Sequence, residues 1–250
     1  MQRVVIVTGG SSGIGAATCR LLGAEGAHVV VNYRANKDEA DGVVHDVVRA
    51  GGKAVAVKGD VGVEADIVSL FQECDKAFGA PTGLVNNAGI GSPKLQKVED
   101  YQMDEVMRLL RVNTASVLIC CREAVKRMAT RNGGKGGAIV NVSSVGAVTG
   151  SPDRFIHYAG SKAAVDIMTV GMATELAKQG VRVNAIRPGM IDTPMHAKVG
   201  QPNRVRDFQQ TTPLGRAGTP EEVAESIVWL LSDKASFVNG AVLNVMGGPR

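Results

Sequence analysis

The 250-residue sequence has few aromatic residues, and it contains no long apolar run. Phe, Trp and Tyr together make up 4% of the chain, and no clustered basic stripe accompanies them, which argues against nucleic-acid binding. Because no run of about 18 apolar residues occurs, we expect no membrane span. The apolar run at 4–7 is too short for a signal peptide, and we therefore expect a cytoplasmic protein.

The four cysteines and four histidines lack the spacing of redox motifs and metal sites. No two cysteines form a Cys-x-x-Cys pair, and the adjacent Cys120 and Cys121 are poorly placed to bridge each other. We expect the cysteines to be small buried hydrophobic residues. No His-Glu-x-x-His motif is present, so no metal site is predicted, and we expect a surface or packing role for His157.

The remaining composition is ordinary for a globular chain, except for its glycine content. Hydrophobic residues make up 44% of the sequence and charged residues 21%, and the net charge of +4 predicts a surface of mixed sign. The 31 glycines exceed average usage. They indicate many tight turns and places where the backbone approaches a ligand closely.

Short runs rich in Val and Ile alternate with longer amphipathic segments along the chain. The runs lie at 4–7, 28–31, 54–57, 83–85, 138–142, 181–186 and 241–245. The longer segments lie at about 13–24, 37–50, 63–78, 102–130, 157–178 and 220–231. Runs without polar alternation are typical of strands that are buried on both faces. The pattern predicts an α/β fold with a Rossmann-type, doubly wound parallel sheet of about seven strands between two helical layers, in a single domain over 1–250.

The least regular stretch of the sequence lies at about 189–219 and is rich in Gly, Pro, Thr and Gln. A loop of this length inside a compact domain is usually functional. We therefore predict a substrate-loop region at about 189–215. The Thr-Pro-Glu-Glu sequence at 219–222 predicts that a helix begins where this loop ends.

A glycine-rich turn, Thr-Gly-Gly-Ser-Ser-Gly-Ile-Gly at 8–15, follows the first predicted strand and opens the first helix. Glycines at such a turn let the backbone approach a pyrophosphate, and the helix N-terminus presents unpaired N–H groups to it. No Gly-Lys-[Ser/Thr] sequence follows, so this turn is not the P-loop of nucleotide triphosphatases. The context favours a dinucleotide site.

Three further motifs follow in order along the chain. Asn-Asn-Ala-Gly at 86–89 follows the fourth strand, and Arg-Pro-Gly at 187–189 follows the sixth. Between them, Tyr158 and Lys162 form a Tyr-x-x-x-Lys motif. With the Gly-x-x-x-Gly-x-Gly spacing of the first turn, these motifs resemble the short-chain dehydrogenase/reductase family, including its 3-oxoacyl carrier-protein reductases and glucose dehydrogenases. The resemblance covers essentially the whole chain.

Tyr158 and Lys162 are four residues apart on a predicted helix, so their side chains share one face. A free tyrosine has a pKa near 10 and is a poor base at neutral pH. A nearby ammonium should lower the pKa of the phenol and bring it closer to the operating range. The pair therefore suits proton exchange with a carbonyl or an alcohol.

The resemblance implies specific roles in catalysis and cofactor binding. Tyr158 would transfer the proton, Lys162 would tune it and bind the nicotinamide ribose, and Asn113 would hold a water in a proton relay. Of the two serines after the fifth strand, the resemblance favours Ser144 over Ser143 for orienting the substrate oxygen. Besides Tyr158 and Lys162, the implied cofactor-binding residues are Gly9, Ser11, Ser12, Gly13, Ile14, Gly15, Asn32, Arg34, Asp60, Val61, Asn87, Ala88, Gly89, Pro188, Gly189, Ile191 and Thr193.

The choice of dinucleotide is usually determined at the end of the second strand, where an acidic residue favours NAD(H). This sequence has Val-Asn-Tyr-Arg at 31–34 and no acid there. Asn32 tolerates a 2′-phosphate, and Arg34 can pair with one. NADP(H) is therefore predicted over NAD(H), although Ser12 replaces the basic residue that many phosphate-binding relatives carry.

Several functions remain open at this point. The first is reduction of a small-molecule carbonyl, either a 3-oxoacyl thioester or a small ketone, and the second is oxidation of sugars or polyols. A third, of another class, is a non-catalytic dinucleotide sensor, which would not need the intact Ser144, Tyr158 and Lys162. The family usually forms homotetramers, so we expect the helices at 102–130 and 157–178 to pair across one two-fold axis and the C-terminal strand region across another. The apolar residues Val223, Ile227, Val228, Leu230 and Leu231 fit either a core face or that second contact.

Overall fold

The computed structural model describes residues 2–92, 94–152, 154–198 and 200–248, and the side chains of Lys198, Phe208 and Gln209 are not described. Its strands are β1 Val4–Val7, β2 His28–Tyr33, β3 Lys53–Lys58, β4 Gly83–Asn86, β5 Gly137–Val142, β6 Val181–Pro188 and β7 Val242–Val245. All seven are parallel and form one sheet in the order β3-β2-β1-β4-β5-β6-β7. The predicted doubly wound sheet is confirmed.

Helices cover both faces of the sheet. They are α1 Gly13–Ala24, α2 Lys37–Arg49, α3 Glu64–Phe78, α4 Met103–Leu110, α5 Ser116–Met128, α6 Gly146–Thr149, α7 Ile156–Leu176, α8 Met195–Lys198, α9 Arg204–Phe208 and α10 Pro220–Leu231. The strand order reverses between β1 and β4, and a ligand crevice forms at such a switch point, outside the carboxyl ends of the strands.

The strands β1 to β6 contribute side chains to two separate hydrophobic layers. Val5 and Val7 of β1 pack in the layer under α1, α2 and α10, whereas Val4 and Ile6 pack in the layer under α3, α5 and α7. Successive strand residues point to opposite faces, so a strand that is covered on both sides must be apolar throughout. This explains the uninterrupted Val and Ile runs in the sequence.

Most strand and helix boundaries lie within one or two residues of the prediction, and two differences bear on the site. β2 continues to Tyr33 instead of ending at 31, because Asn32 and Tyr33 stay in register with Val57 and Lys58 of β3. The single helix predicted at 102–130 is interrupted by a π-helical turn at Arg111–Ala115.

The substrate-loop region is more regular than its composition indicated. It contains the short helices α8 and α9 and a 3₁₀ turn at Gln209–Thr211, and a parallel bridge joins Ile191 to Gly218. These helices have four or five residues, too short to produce a recognisable periodicity. Val199, which belongs to the predicted region, lies outside the described residues.

The helix α10 begins as the sequence predicted. Thr219 accepts a hydrogen bond from the backbone N–H of Glu222, whose carboxylate accepts one from the N–H of Thr219, and Pro220 follows the cap. Most apolar side chains of this helix are buried within the chain and pack against the sheet. These side chains therefore belong to the core of one subunit.

Two features are absent from the part of the chain that the structure describes. No helix there combines the length and the apolar composition needed to cross a bilayer. Nor do three or more His, Cys, Asp or Glu side chains come together there as a metal-binding group.

Candidate active site

The sequence motifs meet at one edge of the sheet. The glycine turn follows β1, Arg34 follows β2 and Asp60 lies just beyond β3. Asn87 follows β4, and Ser144 lies two residues beyond β5. Because the carboxyl ends of parallel strands share an edge, these groups surround the crevice where the strand order reverses.

The glycine turn from β1 to α1 has positions that only glycine can occupy. Gly9 and Gly13 have φ angles of +62° and +53°, in the left-handed region. A Cβ on Gly15 would collide with the carbonyl oxygen of Gly9 and would lie 2.5 Å from Nδ2 of Asn87. Ser12 takes the N-cap position without a side-chain capping bond. The first turn of α1 therefore directs its backbone N–H groups toward the crevice.

Thr8 and Asn87 hold the glycine turn against the end of β4. The Thr8 hydroxyl oxygen accepts hydrogen bonds from the backbone N–H groups of Asn87 (3.0 Å) and Ala88 (3.1 Å). The Asn87 amide donates to the carbonyl oxygens of Thr8 and Gly9, each at 3.0 Å. Sequence reasoning did not assign Thr8 a place in the site, although its position before the first glycine of the motif was a usable signal.

Asn32, one of the predicted cofactor-binding residues, holds the glycine turn in place. Its side chain is buried, its Oδ1 accepts a hydrogen bond from the N–H of Gly9 (3.2 Å), and its Nδ2 donates to the carbonyl of Gly59 (3.0 Å). The amide thus links the glycine turn to the end of β3. Asn32 is therefore a positioning residue in this structure, and its contact with the cofactor stays a prediction.

Arg34 is the first residue after β2, and 57% of its side chain is exposed. Its guanidinium lies 4.0 Å from Oδ2 of Asp60. Oδ1 of Asp60 accepts a hydrogen bond from the N–H of Gly62 (2.8 Å), and the neighbouring Val61 is buried. An exposed cation and a carboxylate therefore stand side by side at the ends of β2 and β3.

Asn113 lies in the π turn and joins two parts of the site. Its Oδ1 accepts from the N–H of Ile90 (2.8 Å), and its Nδ2 donates to the carbonyl of the same residue (2.9 Å). A Cβ on Gly89 would lie 3.4 Å from this Oδ1 and 3.5 Å from Nζ of Lys162. The wider π turn brings the asparagine to the segment after β4, and such turns often mark functional sites.

The two serines after β5 face different partners. The hydroxyl of Ser143 is buried and donates to the main-chain carbonyl of Lys162 (3.2 Å). The Ser144 hydroxyl accepts from the N–H of Gly146 (3.1 Å) and lies close enough to the Tyr158 phenol for hydrogen bonding to lower the pKa of that phenol. Of the pair, only Ser144 is directed at Tyr158.

Tyr158 and Lys162 occupy one face of α7, as the spacing predicted, but their electrostatics differ from the expectation. Nζ of Lys162 is 5.9 Å from the centre of the Tyr158 ring and donates to the carbonyl of Val142 (2.8 Å). Burial raises the pKa of Tyr158, against the lowering effects of Ser144 and of the positive charge of Arg204. Burial also lowers the pKa of Lys162 to about 8. The lowered pKa predicted for Tyr158 is therefore wrong for this structure, because burial outweighs charge.

The segment after β6 forms the opposite wall of the crevice. The carbonyl of Pro188 accepts from the N–H of Val145, and the N–H of Gly189 donates to the carbonyl of Val245, each at 3.0 Å. A Cβ on Gly13 would lie 3.5 Å from the Cβ of Thr193, so the glycine turn and this segment come together. Ile191 is buried near the same point.

Two aromatic residues near Tyr158 were not identified from the sequence. The ring of His157 packs against that of Tyr101 with centroids 4.6 Å apart, in keeping with a packing role for this histidine. The hydroxyl of Tyr101 accepts a hydrogen bond from the N–H of Ile156 (3.0 Å). Phe155, just before α7, is buried beneath the guanidinium of Arg204. Isolated aromatic residues carry no spacing signal that would have revealed these contacts.

Comparison with known proteins places the chain in a family. The family model described as "Enoyl-(Acyl carrier protein) reductase" matches residues 9–249. The chain is 48% identical over 245 residues to the uncharacterised oxidoreductase YgfF of Escherichia coli K12, covering 98% of this chain and 99% of that protein. It is 41% identical over 250 residues to 3beta-hydroxysteroid dehydrogenase 1 of Eggerthella lenta, covering 98% and 93%.

A solved structure agrees with these sequence matches. A double mutant of a Serratia marcescens short-chain dehydrogenase/reductase superposes with a TM-score of 0.90 at 34% identity, covering 98% of this chain and 97% of that one. The chain therefore belongs to the short-chain dehydrogenase/reductase family of oxidoreductases, which use a nicotinamide dinucleotide.

Proposed function

We propose that the enzyme transfers a hydride reversibly between NADP(H) and a carbonyl or alcohol substrate, with Tyr158 exchanging the proton. The observation that carries the proposal is the approach of the Ser144 hydroxyl to the Tyr158 phenol, with the Lys162 ammonium one turn further along α7. Two hydroxyl groups so arranged can bind one substrate oxygen between them.

In the reducing direction, the two hydroxyl groups hold and protonate the substrate oxygen. Ser144 donates a hydrogen bond that orients the carbonyl, and Tyr158 donates its proton as the carbonyl carbon receives the hydride. Bound in the crevice, the dinucleotide supplies that hydride in reduction and accepts one in oxidation. Burial raises the pKa of Tyr158, so the phenol is protonated at neutral pH, the form required for donation. Oxidation needs the phenolate, which is the minor form at neutral pH.

Lys162 and Asn113 support the proton transfer. When Tyr158 has donated its proton, the Lys162 ammonium stabilises the phenolate that remains. Its pKa of about 8 leaves most of the group charged at neutral pH. Asn113 is proposed to complete a proton relay through a water joined to Lys162, while its amide holds Ile90 beside the site.

The preference for NADP(H) rests on Arg34. This exposed guanidinium stands where β2 ends, and no carboxylate occupies residues 31–34. A guanidinium binds a ribose 2′-phosphate through charge-assisted hydrogen bonds. Asp60, 4.0 Å away, works against this preference because it repels a phosphate and attracts the same arginine.

For the substrate, we propose a carbonyl compound, either a 3-oxoacyl thioester or a small ketone. Oxidation of a ring alcohol, sugar or polyol is the second candidate, and the name of the Eggerthella lenta relative favours a ring hydroxyl. A screen of acetoacetyl thioesters, cyclic ketones, aldoses and polyols with both dinucleotides, following the absorbance of the reduced nicotinamide, separates these classes. Dinucleotide binding without turnover of any compound would instead favour a sensor.

A homotetramer and a cytoplasmic location stay predictions. The pairing of subunits through α5 and α7 is supported by exposed apolar side chains on both helices, Leu118 on the first and Ile167 and Val170 on the second. Such a surface is typical of an interface between subunits. Light scattering on the purified protein measures the assembly, and Ile167→Glu should weaken it if these helices pair.

A further inference from the structure

The turn of α7 between Tyr158 and Lys162 contains Ser161, whose side chain is completely buried. Its hydroxyl donates a hydrogen bond to the main-chain carbonyl of Tyr158 (2.7 Å). The same oxygen accepts a hydrogen bond from Nδ2 of Asn113 in the π turn (3.3 Å). Because a hydroxyl group can donate and accept at once, Ser161 joins the asparagine of the π turn directly to the backbone of the proposed proton donor.

The helix α7 does not need this hydroxyl in order to form. Inside an α-helix, the carbonyl of Tyr158 has the main-chain N–H four residues later as its ordinary partner. Serine is a weaker helix former than alanine, because its hydroxyl competes for main-chain groups. The contribution of Ser161 therefore lies in its link to the π turn and not in the stability of its own helix.

The amide of Asn113 uses all of its hydrogen-bonding groups on two segments. Its Oδ1 accepts from the N–H of Ile90 (2.8 Å), and its Nδ2 donates both to the carbonyl of Ile90 (2.9 Å) and to Ser161. Asn113 is completely buried, so without the Ser161 hydroxyl one N–H of the amide would lose its partner in a place that water does not reach. The asparagine therefore holds the segment after β4 and α7 at the same time only while Ser161 is present.

Two other hydroxyl groups attach the same turn of α7 to its surroundings. The hydroxyl of Thr114, also in the π turn, donates to the main-chain carbonyl of Ser161 (3.1 Å). The hydroxyl of Ser143 donates to that of Lys162 (3.2 Å). The π turn thus holds α7 at two points, and the end of β5 holds it at a third.

We propose that Ser161 is a positioning residue, which fixes the main chain of Tyr158 relative to the segment after β4 that Asn113 holds. The phenol moves with its main chain, and a displacement of about 1 Å at a reacting group can cost about 10²-fold in rate. Ser161 acts through Tyr158 and Asn113, and it has no contact of its own with the substrate. The inference rests on the proposed function, since it concerns the placement of the proton donor.

Thr169, further along α7, provides a matched control. It is completely buried, its hydroxyl donates to the main-chain carbonyl of Val165 (2.8 Å), and the same oxygen accepts from Nδ2 of Asn141 on β5 (2.9 Å). Thr169→Val therefore breaks the same kind of link as Ser161→Ala, between a buried asparagine and a carbonyl of the same helix. A difference in kcat between the two variants reports the position of the link and not its effect on stability.

The first test compares kcat, KM, the dissociation constant of the dinucleotide and thermal stability. Assays use NADPH and the best carbonyl substrate of the screen described above. We expect Ser161→Ala to lower kcat by about tenfold, with little change in KM or in dinucleotide binding. Ser161→Thr, whose hydroxyl can reach the same helical carbonyl, should recover most of the rate. Thr169→Val should lose thermal stability but keep the wild-type kcat.

The second test is a double-mutant cycle between Ser161 and Asn113. Because Ser161 acts through its bond to the asparagine, kcat of Asn113→Ala combined with Ser161→Ala should be close to that of Asn113→Ala alone. If Ser161→Ala does not fold, judged by circular dichroism, Ser161→Cys replaces it in both tests, because a thiol is of similar size and is a weak donor.

Three results would overturn the inference: additive losses in the cycle, an equal loss of kcat in Thr169→Val, or the wild-type kcat in the Ser161 variant. Loss of turnover in Tyr158→Phe together with unchanged turnover in Ser161→Ala counts against Ser161 alone. If the wild-type enzyme turns over no carbonyl compound, the proposed function fails and the inference fails with it.

Discussion

The hydroxyl of Ser143 donates a hydrogen bond to the main-chain carbonyl of Lys162, 3.2 Å away. This hydrogen bond joins α7 to the end of β5. The next residue, Ser144, faces Tyr158. Adjacent serines of the same chemistry thus have separable roles: Ser143 positions the helix, and Ser144 faces Tyr158 and is proposed to contact the substrate oxygen.

The serine pair provides the first prediction. Ser144→Ala should lower kcat by about 10²- to 10³-fold, because it removes a donor aimed at the reacting oxygen, with little change in thermal stability. Ser143→Ala should instead lower the free energy of unfolding by about 1 kcal/mol, since it leaves the Lys162 carbonyl without this donor. Steady-state kinetics and urea unfolding of both variants measure the two effects. A larger loss of kcat in Ser143→Ala would reverse the assignment.

Removal of the phenolic hydroxyl tests the proton donor. Tyr158→Phe should reduce kcat by about 10²- to 10⁴-fold, the range of general acid–base catalysis. The dissociation constant of the dinucleotide should change little, because the ring and its packing are retained. Fluorescence titration and turnover assays measure the two quantities. Turnover at the wild-type rate would disprove the role of Tyr158.

The pH dependence should differ between the two directions. Burial raises the pKa of Tyr158, so the protonated form persists through neutral and mildly alkaline pH, and carbonyl reduction should be nearly constant there. Alcohol oxidation needs the phenolate, so its kcat/KM should rise by about tenfold per pH unit over the same range. Near pH 8 this rise should flatten, because the Lys162 ammonium that stabilises the phenolate deprotonates there.

The control for that profile is Lys162→Arg, which stays charged through this range and should lose the flattening near pH 8. The profile is recorded as kcat/KM in both directions from pH 6 to pH 10, a window of about two pH units on each side of 8. Oxidation that did not vary with pH would contradict the proposed proton acceptor.

Dinucleotide choice should respond to the pair formed by Arg34 and Asp60. Arg34→Glu should lower kcat/KM with NADPH relative to NADH by about 10²-fold, because it replaces attraction of the 2′-phosphate with repulsion. Asp60→Asn should raise the same ratio, since it removes the competing carboxylate while keeping an oxygen to accept from Gly62. The ratio is measured with one substrate and both cofactors. An unchanged ratio in Arg34→Glu would exclude this arginine from cofactor selection.

Two glycines provide a matched test of the turn. Gly15→Ala should destabilise the protein by about 1–3 kcal/mol and weaken dinucleotide binding, because its Cβ has no room beside Gly9 and Asn87. Gly42→Ala lies in α2 with open space around the added Cβ and should stabilise by about 0.5–1 kcal/mol. Thermal and urea unfolding of both variants measure the difference. Similar changes in the two would show that the turn tolerates a side chain.

The order of the elements could be predicted from the sequence because it depends on local pattern. Strands that are covered on both faces must be apolar throughout, whereas the helices between them have one apolar and one polar face. The apolar runs at 4–7 and 138–142 can therefore be recognised as strands from the sequence alone. The same holds for the glycine turn and for the spacing of Tyr158 and Lys162, which places them on one helical face whatever surrounds them.

The tertiary structure decided what depends on contacts between distant segments. The π turn at Asn113 follows from hydrogen bonds to Ile90, 23 positions earlier, and the burial of Asn32 follows from its bonds to Gly9 and Gly59.

The tertiary structure also decided whether the pKa of Tyr158 is raised or lowered. Burial raises the pKa of the phenol, whereas the Ser144 hydroxyl and the charge of Arg204 lower it, and only the packed structure gives the balance between these effects. Periodicity and spacing are local properties that a chain carries with it, whereas solvation and hydrogen bonds between distant segments exist only after folding.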